Sequence, residues 1–304
     1  MKRITTISAI FILSVSVLDA QTVEFPWTAL PSGTASLSMA GTGSLSDSNI
    51  AWSSNDSPAA SILCDRTFAA EGAYSLVQPS GLNRAGVGAA GKISDRISLG
   101  GTFSFLAGSR YDVYNSSGLR TGTFSPNMMG MSLGMGVKLC KFMSIGASLQ
   151  YEREASAEDA KYNVIAASLM FAFKCGGLRA GAGVHSLGGS FSSPGGVKAY
   201  PGSAKVTVGY DDALCSGLMR ISAYADADYY FNNSVSAGAG ASVGYREIVS
   251  LRGGYRYSSP TAPLPSFAAA GLGLGLKGIA LDFAYLLSSA RIGNSFQVGV
   301  RYSF

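Results

Sequence analysis

Asp226 and Asp228 stand two residues apart in an alternating stretch, with Tyr224 and Tyr230 at the same parity. In a β-strand that spacing puts both carboxylates on one face, where they could act as an acid–base couple or as part of an ion network. Arg252, Arg256 and Arg301 fall in later alternating stretches and offer counter-charges. Charges at membrane depth commonly pair, so the expected role of these five residues is a network lining a lumen. His185, the single histidine, adjoins Ser186. A serine hydrolase needs a group that orients the histidine and an oxyanion hole. The sequence offers no frame for either, and His185 is expected at a loop base on the rim. Gly273-Leu-Gly275-Leu-Lys277-Gly278 matches a dinucleotide fingerprint, and Gly86 to Lys92 matches most of a phosphate-binding loop. Both lie inside alternating stretches, whereas the chemistry requires a strand-to-helix turn, and Ile93 stands where a magnesium-binding hydroxyl belongs. The four cysteines, Cys64, Cys140, Cys175 and Cys215, form no CxxC pair, which removes the usual zinc and redox motifs. No catalytic residue, metal or cofactor is assigned, and the chain reads as non-enzymatic.

The elements that must carry these residues are strands. Only 13% of the 304 residues are charged, where about 25% is usual for soluble proteins. Mean hydropathy is +0.23, yet after the N-terminus apolar runs are broken every second residue. Phe296, Val298, Val300, Tyr302 and Phe304 alternate with Gln297, Gly299, Arg301 and Ser303. Met129, Met131, Leu133, Met135, Val137 and Leu139 alternate with Gly130, Ser132, Gly134, Gly136 and Lys138. The same period predicts about fourteen strands, near 66–77, 84–93, 97–107, 127–140, 143–153, 161–174, 177–186, 203–211, 217–230, 234–246, 248–258, 267–277, 279–287 and 295–304. Short turns alternate with longer loops, chiefly 108–126, 154–160, 187–202, 259–266 and 288–294, as in outer-membrane barrels. A strand wall in lipid must close so that every backbone polar group has a partner. The expected fold is therefore all-β, a transmembrane antiparallel barrel of about fourteen strands with both termini periplasmic. All four cysteines then fall at the periplasmic end, as disulfides or as free thiols. Tyr302 and Phe304 end an aromatic row of the kind that serves as a barrel assembly signal.

Lys2 and Arg3 precede the apolar run Ile7 to Val17, and Ala20 closes a cleavage site, so residues 1–20 read as a secretory signal peptide. Residues 21–64 lack sustained alternation and read as a plug inserted into the barrel mouth, with 65–304 as the barrel. The inward column is small: Gly271, Gly273 and Gly275 on one strand, Ser236, Gly238, Gly240 and Ser242 on another. A barrel of this size with such a lining leaves space that something must fill. The small excess of basic over acidic residues is scattered and gives no nucleic-acid footprint.

Ala35-Ser36-Leu37-Ser38-Met39-Ala40-Gly41-Thr42-Gly43, then Asp47 and Ala51-Trp52-Ser53-Ser54-Asn55-Asp56-Ser57-Pro58-Ala59, resembles the opening of PorV/PorQ-type proteins, which share their architecture with the fourteen-stranded FadL family. Gly254-Tyr255-Arg256-Tyr257, Leu281-Asp282-Phe283-Ala284-Tyr285 and the last six residues look similar to that family's ending. The family's Asn-Pro-Ala element stands here as Ser57-Pro58-Ala59, with Asn55 displaced. The resemblance implies an outer-membrane protein of a Bacteroidetes-like Gram-negative bacterium, in contact with outer-membrane lipid. It further implies docking of type IX secretion translocon or attachment proteins and their cargo. Tyr111, Tyr114 and Leu119 in the longest loop are the expected contacts, since aromatic residues are enriched at interfaces. The alternative is a FadL-like channel for small hydrophobic compounds, in which Met39, Trp52, Asn55, Pro58 and Phe68 belong to the plug and lumen.

Overall fold

The computed structural model describes residues 29–77, 81–155, 157, 161–192, 200–214, 217–288 and 293–304; residues 1–20, expected as a signal peptide, and the first residues of the expected plug lie outside them. Alternation produces sixteen strands. The first eight are β1 (Phe68–Val77), β2 (Leu82–Lys92), β3 (Ile97–Ala107), β4 (Tyr111–Tyr114), β5 (Arg120–Phe124), β6 (Asn127–Lys138), β7 (Met143–Ala155) and β8 (Lys161–Cys175). They continue as β9 (Leu178–Ser192), β10 (Ser203–Leu214), β11 (Met219–Tyr230), β12 (Ser234–Tyr245), β13 (Val249–Ser258), β14 (Phe267–Leu276), β15 (Ile279–Ser288) and β16 (Ser295–Ser303).

Fourteen of them close one antiparallel barrel, β1 pairing with both β2 and β16. The seam is in register, with Gly72 opposite Val300 and Tyr74 opposite Val298. Because the side-chain period is two, the register fixes which face each residue takes. Leu133 is 72% exposed on the outer face while its neighbour Ser132 is buried inside. The outer face is a band of Leu, Val, Ile, Met, Phe and Tyr side chains, including Leu99, Phe103, Ile165, Phe171, Val206, Leu251 and Tyr255. No helix among the described residues is long and apolar enough to cross a membrane.

Two expectations about the strands change. Residues 108–126 are not a plain loop: β4 and β5 form a separate hairpin. It turns through Asn115, whose side chain accepts from Ser117 N and Leu119 N, and Gly118 takes φ +74°. β9 runs to Ser192, past the expected end at 186, because a bulge opposite Ser168 absorbs one extra residue. Bulges bend a strand and re-aim its side chains, and here Ser186 adopts φ +53°.

The lumen is occupied. Helix α1 (Thr34–Ser38), a 3-10 helix (Asp47–Trp52), α2 (Ser53–Asp56) and α3 (Ala60–Leu63) form the plug. It does more than cap a mouth. Leu30 packs with Val77, Leu264, Phe267 and Leu286 at the long-loop end. The chain descends to Asp47 beside Arg179 and Arg220 near the short turns, and returns upward to Asn55 beside His185. It leaves at Cys64, whose carbonyl accepts from Lys92. The expectation of two termini at one end does not extend to the described residues: Leu30 sits at the end opposite Phe304.

The small inward residues are explained by this filling. A Cβ at Gly240 or Gly254 would come within 2.5 or 2.6 Å of Met39 O, and one at Gly136 within 2.6 Å of Pro58 O. Glycine is needed where one backbone approaches another this closely. Cys64 is buried, whereas Cys140 and Cys175 are exposed at the short-turn end, and all three are free thiols. Cys215 lies outside the described residues.

Candidate functional site

The plug has two arms, which meet different parts of the wall. The first arm, residues 30–46, is held largely by charged and amide groups. Thr34 N donates to Glu71 Oε1 at 2.9 Å, and Gln297 Nε2 donates to Ser32 O and Thr34 Oγ1 at 2.9 Å. Arg84 reaches Leu30 O at 3.1 Å, Arg256 Nε reaches Ala40 O at 2.9 Å and Arg179 reaches Leu45 O at 2.7 Å. The Arg256 contact falls on a turn whose Ala40 and Gly41 have φ +58° and +81°.

The second arm, residues 53–64, rests on hydroxyls and glycines. Ser54 and Ser132 hydroxyls lie 3.0 Å apart, those of Ser61 and Ser98 2.7 Å apart, and Ser144 donates to Ala59 O at 2.7 Å. His185 Nε2 donates to Asn55 O at 2.6 Å while its Nδ1 meets Ser186 Oγ at 2.9 Å. His185 is therefore a lumen residue that holds the plug, not a rim residue. The bulge places it, and the sequence reading ended that strand too early to find it.

Between the arms, Asp47 takes Arg179 at 2.8 Å and Arg220 at 2.9 Å. Burial acts to raise the Asp47 carboxyl, but the Arg179 hydrogen bonds and the charges of Arg179 and Arg220 outweigh it and hold the carboxyl well below its ordinary value.

The lumen charges separate into clusters instead of one network. Asp226 and Asp228 meet Arg256 at 2.8 and 2.9 Å, joined by Lys205, 3.6 Å from Asp226. Arg252 and Arg301 do not reach them. Both turn to Asp282, at 2.6 and 3.3 Å. A third cluster, Asp47, Arg179, Asp211 and Arg220, spans plug and wall. Lys205, Asp282, Glu71, Arg179, Asp211 and Arg220 escaped the sequence reading, although each stands at inward parity on its strand.

Met39 and Trp52 are 1% exposed and lie in the lumen with Asn55 and Pro58. Phe68 does not. Its neighbour Ala69 points inward, so Phe68 faces out and packs on Phe304 with ring centroids 5.6 Å apart. Phe304 also meets Tyr302 at 5.7 Å, and the three rings form an aromatic cluster at the short-turn rim. Tyr111 stacks on Phe124 at 5.8 Å in the outer hairpin, where Tyr114 and Leu119 are exposed.

Two larger cavities stand out. One, of about 280 Å³, opens inside the barrel at the short-turn end. The other, of about 910 Å³, is a concavity on the outer face. Its floor is made of small residues, Ala70, Gly72, Ala89 and Gly101, and its sides include Val87, Phe103, Met131, Leu133, Leu149 and Val300. The wall behind it is one backbone thick: a Cβ at Gly88 would lie 2.5 Å from Ala51 O and 3.1 Å from the Trp52 ring.

No protein-family model matches the chain, and no curated protein does. Solved structures do. The toluene transporter TbuX of Ralstonia pickettii aligns with TM-score 0.58 at 12% identity, over 91% of this chain and 100% of that one. The toluene transporter TodX of Pseudomonas putida aligns with TM-score 0.57 at 12% identity, over 90% and 98%. A Pseudomonas aeruginosa FadL homologue gives TM-score 0.56 at 11% identity, over 90% and 98%. At these identities the likeness is one of fold, the closed antiparallel barrel.

Proposed function

We propose that the protein sits in the outer membrane of a Gram-negative bacterium and passes small hydrophobic compounds, the second arm of the plug being the segment that yields. One observation carries this reading. The apolar concavity lies on the outer face of β16, β1, β2, β3, β6, β7 and β8, and the 3-10 helix, α2 and α3 pack on the inner face of β1, β2, β3, β6, β7 and β8. An apolar solute and the less firmly bonded arm thus share a wall, which is thin at Gly88, where the 3-10 helix leading into that arm lies behind it. The fold is also that of barrels whose solved members include toluene transporters. Filling the concavity tests the reading. Ala89→Trp, on the outer face, should lower entry of a monoaromatic hydrocarbon into outer-membrane vesicles several-fold while folded yield is kept. Unchanged entry with a filled concavity would count against it.

A second reading, docking of type IX secretion partners, is supported by the β4–β5 hairpin, which projects Tyr114 and Leu119 clear of the barrel. Affinity capture from native outer membrane tests it: Tyr114→Ala with Leu119→Ser should release any translocon component that the unaltered protein retains.

A further inference from the structure

The inner cavity at the short-turn end differs from the rest of the lumen, because of the plug only Ser46, Asp47 and Ser48 line it. Its inner wall includes Ser222, Ser242, Gly244, Gly273 and Gly275. Around it stand six basic residues, Arg66, Arg220, Arg246, Arg252, Lys277 and Arg301, and four acidic ones, Asp47, Asp211, Glu247 and Asp282. Local pairing does not cancel the excess. Arg66 is matched by Glu247, and Arg220 with Arg179 is matched by Asp47 and Asp211. Arg252 and Arg301, however, share the single carboxylate of Asp282. Glu71 adds a second negative charge that acts on Arg301, while its Oε1 accepts from Thr34 N of the plug; Arg246 and Lys277 keep the lining basic in excess. Arg252 and Arg301 are 94% and 88% buried at their side chains, so both guanidiniums are largely withdrawn from water. A guanidinium in that position gains most from an anionic partner with good geometry. Gly273 makes the site possible, since a Cβ there would lie 2.5 Å from Asp282 Oδ1 and 3.0 Å from Arg252 Nη1.

We propose that this vestibule binds a small hydrophilic oxyanion, a carboxylate or phosphate group held by Arg252 and Arg301 with hydroxyl donors from the serine-lined wall. At about 280 Å³ it lies at the lower end of the roughly 300–1,000 Å³ typical of small-molecule sites, so the occupant is small. The site stands apart from hydrocarbon passage, and loss of either activity leaves the other intact.

The test uses the full-length protein in a zwitterionic detergent, with sodium acetate, sodium phosphate and sodium chloride compared at equal ionic strength by calorimetric titration and by unfolding temperature. Saturable binding of acetate, phosphate or both, with a raised unfolding temperature, is the expected result, and the two arms separate carboxylate from phosphate chemistry. Arg301→Gln should weaken that binding by about tenfold or more. Ser242→Asp, which leaves the arginines in place and adds a repelling charge, should abolish it and covers the case in which Arg301→Gln fails to fold. An equal effect from chloride, or affinity unchanged in the folded variants, would overturn the proposal.

Discussion

The two arms of the plug occupy one lumen yet are fastened by different chemistry. The first is bonded by Glu71, Arg84, Arg179, Arg256 and Gln297. The second rests mainly on serine hydroxyls and on glycines that admit its backbone, with a charged donor, Lys92, at its exit. Charge-assisted hydrogen bonds are roughly twice as strong as neutral ones. The difference separates a fixed arm from a releasable one, and the releasable arm lies against the wall that carries the apolar concavity.

The largest expected effect comes from the fixed arm. Arg256→Met removes the partner of Asp226 and Asp228 and the donor to Ala40 O. Breaking a buried pair from one side costs about 3–5 kcal/mol. Heat-modifiability on gels should show a large loss of folded barrel; a mild effect would mean that Lys205 suffices for both carboxylates.

Next comes the contrast between the faces of the wall. Leu133→Arg on the outer face should cost about 2–4 kcal/mol in a bilayer, while Ser242→Arg at the open vestibule should cost less. Ser132→Arg is no benign control, because Ser132 is bonded to Ser54 of the plug and an arginine there would drive the second arm away. Equal damage at positions 133 and 242, read as folded fraction in bilayers, would mean that the faces are misassigned.

A smaller effect is expected within the releasable arm. Ser61→Ala removes the bond to Ser98 and should cost about 1 kcal/mol. Its signature is exposure of Cys64, whose thiol burial pushes up to about 11, which keeps it unreactive near neutral pH. In a background with Cys140, Cys175 and Cys215 changed to serine, Ser61→Ala should speed alkylation of Cys64, and Arg256→Lys should speed it less. The reverse order would exchange the roles of the arms.

The smallest effect near neutral pH concerns the link between the arms. Asp47 titrates below its ordinary 3.8 in the folded protein, because Arg179 and Arg220 offset its burial. Its stabilising contribution is therefore fully present above 3.8 and fades as pH falls through the folded value. Asp47→Asn should flatten the acid side of the unfolding profile, and an unchanged profile would remove Asp47 as the clamp.

The sequence was legible where one period governed it. All fourteen barrel strands, the inward parity of Asp226, Asp228 and Arg256, and the need for something to fill a glycine-lined lumen follow from alternation alone. What escaped depends on contacts between distant segments. Which arginine meets which carboxylate is set by register and by the plug's path, so Arg252 and Arg301 found Asp282 instead of Asp226. His185 escaped because a bulge breaks the period. Phe68 was misplaced although the strand expected at 66–77 gives it the parity of the outward Tyr74 and Leu76. The β4–β5 hairpin was missed because its strands are four and five residues long, too short for a period to show.

Cross-linking tests the central claim most directly. With the four native cysteines replaced by serine, Ser61→Cys with Ser98→Cys places two thiols where hydroxyls lie 2.7 Å apart and ties the second arm to β3. Entry of a monoaromatic hydrocarbon into asymmetric outer-membrane vesicles should fall to the level of vesicles lacking the protein, and recover on reduction. Tying the first arm to the wall instead should leave entry unchanged. Full entry through the barrel with its second arm cross-linked would contradict the account.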